Sequence, residues 1–202
     1  MRATFFIALA LCGCARLQVK KEQVTAVHKV AFADYAIELS LGETTSASKN
    51  QVHGLVGGLR AADDEHSGRL AARRAEEADR GSEVLKQKLT QAFGWAFVSP
   101  QEADALLQVK VEYFTGKTDG TARQGLGTIK RYPVAVVTFA LLRRDGEVLW
   151  SDPRARGSIS TEPLEVKMGF DVLDNEVQVL TETAASAFDE LLRRYRMDGV
   201  YY

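Results

Sequence analysis

Residues 134–142 are apolar almost without a break, and Asp145-Gly146 follows three positions later. A run this short and this apolar, within the β-rich stretch 132–143, is expected to be a central strand covered on both sides. Asp-Gly is a strong two-residue hairpin signal, so the chain is expected to return antiparallel over 147–151 and to resume over 156–160. A chain holding such a pair has to build a sheet around it.

The other strands are read by period. Val109, Val111 and Tyr113 alternate with Gln108, Lys110 and Glu112, the pattern of a half-buried strand. In 27–41, Val30 and Phe32 share one parity, whereas Tyr35, Ile37 and Leu39 share the other. The phase slips near Ala33-Asp34, which calls for a β-bulge or for a strand buried on both faces. A short strand is expected over 95–98, and Leu164, Val166, Met168 and Phe170 alternate as an edge strand or an apolar loop.

Helical spacing marks two long elements. In 70–93, Leu85, Leu89 and Phe93 recur at spacing four, with Gly81 and Ser82 as an alternative start and Gly94 as the stop. In 177–196, Val177, Leu180, Ala184, Phe188, Leu191 and Tyr195 form a stripe, and Arg193, Arg194 and Arg196 sit at the negative dipole end. Ser99-Pro100-Gln101-Glu102 has the form of a capping box and predicts a brief helix over 100–106. Two polar stretches, 42–68 and 116–131, are expected as loops, the first with at most one turn of helix around Val52, Leu55, Val56 and Leu59. The order predicts an α/β (α+β) fold: a small mixed sheet of four to five strands with two long helices packed on one face. Half-polar strands leave the other face wet.

The N-terminus is organised differently. Met1-Arg2 precedes a nine-residue apolar run, 3–11, too short to span a bilayer core of ~30 Å, and no other stretch approaches that length. Leu11-Cys12-Gly13-Cys14 ends the run and resembles the lipobox of bacterial lipoproteins, with Cys12 in place of the more usual Ala or Ser. The resemblance implies a signal peptide (1–13), acylation at Cys14, a lipidated tether (14–26) and one periplasmic domain (27–202). Two or more acyl chains hold firmly where one does not. The residue after Cys14 is Ala15, not the Asp that marks inner-membrane retention in enterobacterial lipoproteins, so an outer-membrane, periplasm-facing location is implied. Cleavage would leave Cys14 as the mature chain's one cysteine, which excludes a disulfide and thiolate-bound zinc.

Function classes fall away by composition. With 26 basic against 27 acidic residues, the chain lacks the cationic excess that nucleic-acid binding requires. Asp63-Asp64-Glu65-His66 is the most metal-like cluster, yet consecutive residues rarely converge on one ion; no metal or cofactor is expected. His28 and His53 are isolated and no nucleophile elbow accompanies them, while Gly125-Leu126-Gly127 lacks the ending of a phosphate loop. Asp34, in an apolar run, is read as a bulge residue bonding to backbone. No catalytic residue is expected. Val52, Leu55, Val56 and Leu59, and Leu164, Val166, Met168 and Phe170, either cover the sheet or form partner surfaces.

Lys29-Val30-Ala31-Phe32-Ala33-Asp34-Tyr35, and Glu102-Ala103-Asp104-Ala105-Leu106-Leu107 before a strand, a hairpin and a closing helix, resemble a periplasmic domain shared by several bacterial lipoproteins. These include the curli-secretion CsgG type, penicillin-binding-protein activators and the amino-terminal domain of TolB. The tether and the small α/β domain, without a catalytic constellation, lead to the expectation of a non-catalytic, lipid-anchored protein that binds an envelope protein partner or assists assembly of an envelope structure. The alternative is a lipid or lipopolysaccharide carrier similar to the assembly lipoprotein LptE.

Overall fold

A computed structural model describes residues 17–40, 56–120, 128–158, 164–167 and 176–197, without the side chains of 39–40, 56–74, 115–120, 128–129, 131, 164–167 and 176. In chain order the elements are β1 (Gln18–Val19), α1 (Lys21–Thr25), β2 (Lys29–Ser40), α2 (Val56–Phe93), β3 (Ala96–Phe97) and β4 (Ala105–Gly120). They continue with β5 (Thr128–Arg143), β6 (Val148–Ser158), β7 (Leu164–Lys167) and α3 (Glu176–Met197). Six strands form the path β1-β6-β5-β4-β2-β3, and β7 pairs β5 beside the end of β6, making a seven-stranded sheet. Pairing is antiparallel except for β4-β2 and β2-β3, so the mixed α/β class is as expected. The sheet is larger than four to five strands, and a third, short helix, α1, joins the two long ones.

The central strand is β5. It pairs β4 along one side from Ile129 to Arg143, and β6 and then β7 along the other. Its buried residues Ala135, Val137, Phe139 and Leu141 lie opposite Tyr113, Val111, Val109 and Leu107 of β4, all buried, so one face of the sheet is a continuous core surface. Phase is kept in β2 by a bulge at Ala33: the register passes from Phe32 beside Leu107 to Asp34 beside Gln108. Val30, Phe32, Tyr35 and Ile37 thereby all stand beside core-facing residues of β4, and the parity slip in the sequence is this extra residue.

Both long helices cover that face. On α3, Leu180, Ala184, Phe188 and Leu191 are buried. A Cβ at Gly157 of β6 would strike the backbone of Ser186 and Ala187, so α3 lies directly on β6 there. On α2, Leu85 and Leu89 are buried, and the helix continues through Gly81, where a Cβ would run into the Tyr35 hydroxyl. Gly81 is thus not a helix start, and Ser82 is not a cap; its hydroxyl donates to the Asp79 carbonyl at 2.9 Å. Gly94 does end the helix, at φ 71°. Phe93 stacks on Trp95 at 4.6 Å and meets Trp150 and Tyr195 edge-on at 5.9 and 4.9 Å, tying α2, β6 and α3 together.

Four sequence expectations are corrected. Residues 56–68 belong to α2: propagating a nucleated helix costs little, so Gly57, Gly58 and Gly68 do not stop it. Residues 116–120 and 128–131 extend β4 and β5 instead of looping, because ladder pairing uses backbone groups and polar side chains do not prevent it. No helix forms over 100–106. Glu102 donates its N–H to the Ser99 carbonyl at 3.0 Å in a single turn, after which Asp104 is pinned to β2 and β4 begins at Ala105. Within 14–26, Leu17 onward is folded: β1 pairs β6, Lys20 donates its N–H to the Leu149 carbonyl at 2.8 Å, and Val24 is fully buried. The polar Lys20-Lys21-Glu22-Gln23 reads as linker, yet Val24 and Val27 dock it.

Candidate functional site

A cleft of about 660 Å³ opens at the end of the sheet where β4 begins and β5 ends. Its walls come from α1, the turn before β4 and the β5-β6 hairpin, a size typical of small-molecule or peptide sites. The hairpin turns on Gly146 at φ 91°, with the Gly146 N–H donating to the Arg143 carbonyl at 2.9 Å and the Arg143 N–H to the Glu147 carbonyl at 2.8 Å. The loop therefore has three residues, Arg144-Asp145-Gly146, one more than expected.

Asp104, Arg143 and Arg144 in the cleft each have a local partner. Asp104 Oδ2 accepts from the backbone N–H groups of Lys29 at 2.9 Å and His28 at 3.2 Å. The Lys29 N–H, with that of His28, holds the Asp104 carboxyl below its ordinary 3.8 against a small cost of burial. The Arg144 guanidinium donates to the Gln101 carbonyl, and Arg143 pairs with Glu147, which also accepts from Lys20 Nζ at 2.6 Å. Lys20, ahead of Arg143, keeps Glu147 ionised below its usual range. The Gln23 Oε1 atom, by contrast, is buried without a hydrogen-bond partner among the described residues. Such an arrangement can hold a polar ligand. Asp104, already committed to two N–H groups, is not free to act as a base there.

A second polar group lies in the interior. Glu77 of α2 is 1% exposed, and its carboxylate receives the Tyr113 hydroxyl from β4 and the Thr181 hydroxyl of α3, the latter at 2.8 Å. Tyr113 also reaches the Leu180 carbonyl at 3.1 Å. Burial, with Glu77 adding to it, raises the ionisation of both Tyr113 and Tyr35 far above the ordinary 10.0, so both phenols remain protonated. Tyr35 Oη has no hydrogen-bond partner among the described residues. With no opening to solvent at Glu77, we read this group as joining α2, β4 and α3. Its signal was present in the sequence: Glu77, Gly81, Leu85, Leu89 and Phe93 share one spacing-four stripe.

The third feature is the outer edge of β6. β1 covers only Trp150 and Ser151, and past them β6 has no strand partner on that side among the described residues. Arg154 and Arg156 are exposed there, and no described acid pairs with either. The one acid of β6, Asp152, is fully buried and meets Arg194 Nε at 2.8 Å. Arg194 also donates to the Arg154 carbonyl at 2.8 Å, fastening α3 to this edge. Burial raises the Asp152 carboxyl, opposed by the Arg154 N–H and by Arg194.

Of the residues expected to matter, Cys14, Val52, Leu55, His53, Met168 and Phe170 lie outside the described residues. Val56, Leu59 and the 63–66 cluster fall within α2, and Leu164 and Val166 within β7, in the part whose side chains are undescribed. Asp34 is exposed on the open face; the bulge residue is Ala33. On that face Lys110 bridges Glu38 at 2.9 Å and Glu112 at 2.8 Å. Among the described residues no group of three or more His, Cys, Asp or Glu side chains could hold a metal, and no helix is long and apolar enough to cross a membrane.

Fold and site together define a mixed α/β domain with two long helices on one face and a polar cleft at one end of its sheet. No protein-family model and no curated protein matches the chain. Among solved structures it is similar to a neuraminyllactose-binding hemagglutinin homolog from Helicobacter pylori, at 9% identity and a TM-score of 0.34 over 85% of each chain.

Proposed function

We propose that the chain is a non-catalytic lipoprotein, anchored through acylated Cys14 in the outer membrane and facing the periplasm, that binds an envelope protein partner or assists assembly of an envelope structure. The cleft between α1 and the β5-β6 hairpin carries the reading, because it brings charged and polar side chains from three separate segments to one opening, as a site for an extended polar segment would. A lipid or lipopolysaccharide carrier needs an apolar cavity for acyl chains. In this cleft Ala26, Val27, Ala103 and Leu149 stand among Glu22, Glu102, Asp104, Arg143 and Arg144, so acyl chains entering it would meet charged groups.

Photo-crosslinking in living cells from position 26 on the cleft wall, compared with a position on β7, tests the proposal. The expected result is one protein adduct at position 26 that is lost on Arg144→Glu. Adducts with lipid alone, or none, overturn it.

A further inference from the structure

We infer that the outer edge of β6 docks on the surface of the membrane that holds the anchor, against anionic phospholipid headgroups. The inference rests on the lipid-anchor reading of Cys14 and deepens it. Only Ala15, Arg16 and Leu17 separate Cys14 from β1, and at no more than ~3.6 Å per residue the acylated residue stays within about 14 Å of Gln18. Gln18 stands opposite Ser151 of β6. Arg154 and Arg156 follow three and five residues further along that strand, so, at ~3.3 Å per residue, they fall within about 10–17 Å of the same point. A lipid at Cys14 therefore lets this edge reach headgroup level and keeps it nearer the anchor than the opposite edge at β3.

Charge selects the same surface. Arg154 and Arg156, exposed opposite the buried Ala155 and Gly157, project from the open face of this edge strand, and β6 itself presents no exposed acid, because Asp152 is buried against Arg194. Arg16, in the link itself, adds a cation of the same sign. Arginines within a Debye length, ~8–10 Å, of an anionic leaflet are attracted to it, each shifting the balance about fivefold. The cleft opens at the sheet end formed by the hairpin, away from Arg156, so docking leaves it accessible to a partner.

The test uses the full acylated chain in vesicles of phosphatidylcholine, with or without a quarter phosphatidylglycerol, both carrying a headgroup quencher. A fluorophore is placed on Ser158→Cys or, on the opposite sheet edge, on Ala96→Cys; lipidation leaves Cys14 without a competing thiol. Expected is stronger quenching at position 158 than at position 96, only with phosphatidylglycerol. Arg154→Glu with Arg156→Glu should abolish the difference, lowering the docked-to-free ratio at least about thirtyfold. Mass spectrometry of the N-terminal peptide separates the two ideas. An unmodified Cys14 overturns anchor and docking together, whereas an acylated chain quenched equally at both positions, or unaffected by the charge reversals, overturns docking alone. An unchanged circular dichroism spectrum shows that the variants are folded.

Discussion

Glu77 sits where an Ala-, Arg- and Glu-rich helix reads as a solvated face; only its place on the spacing-four stripe hints otherwise, and its partners Tyr113 and Thr181 come from other elements. The spacing-four stripe was legible from Leu85 onward, but a charge and a glycine at its N-terminal end look like an interruption of the apolar pattern. Gly81 is there because Tyr35 needs the space. Gly81→Ala alone sets a helix-propensity gain of about 1 kcal/mol against a collision with the Tyr35 hydroxyl. In the Tyr35→Phe background the collision is gone, so the same substitution should stabilise by about 1 kcal/mol in urea titration. Strict additivity of the two changes would refute the contact. Asp104 makes a pH-dependent counterpart. Its folded pKa lies below the ordinary 3.8, so its stabilisation is complete above that value and is lost as pH falls through the folded pKa. Asp104→Ala should therefore lower the melting temperature at pH 7, and the gap to the parent should close in strong acid. A gap that persists unchanged there would remove the carboxylate from the explanation.

At the level of elements, the strands whose apolar residues alternate were readable, and those whose sequence is polar were not. The β4 alternation and the β2 phase slip both survive in the structure because each records which side chains meet the helices. Residues 116–120 and 128–131 carry no such record, since their order comes from the ladder. The capping box at Ser99 was a correct local signal: its turn forms and Ser99 Oγ meets Glu102 Oε2 at 3.1 Å. Tertiary pairing overrode what should have followed, because the next residues are needed in register with β2. The cleft was illegible for the same reason, its walls being three separate segments that meet only through the sheet. The α3–β6 contact gives the sharpest prediction here. Gly157→Val would press a side chain into the backbone of Ser186 and Ala187, and backbone cannot swing aside. A loss of about 3 kcal/mol or more is expected from the denaturation midpoint at constant m-value. A loss below a few tenths would mean that α3 does not lie there.

For the molecule as a whole, the N-terminal segment changes meaning most. Sequence suggests a tether through residue 26, whereas the domain already begins at Leu17, which packs against the core. The proposed anchor is thus a short link on a folded edge. Cys14→Ser should move the protein from the membrane to the soluble fraction with an unchanged melting temperature, since the described core begins after it. An unfolded product would contradict this.

The two tryptophans of the chain, Trp95 and Trp150, are both buried and both contact Phe93. The protein therefore carries its own optical gauge. Its intrinsic emission should be blue-shifted in the native state and should redden when α2, β6 and α3 part. Quenchers confined to lipid or to bulk water should leave it nearly untouched, so loss of fold and a change of surroundings can be followed separately in one cuvette.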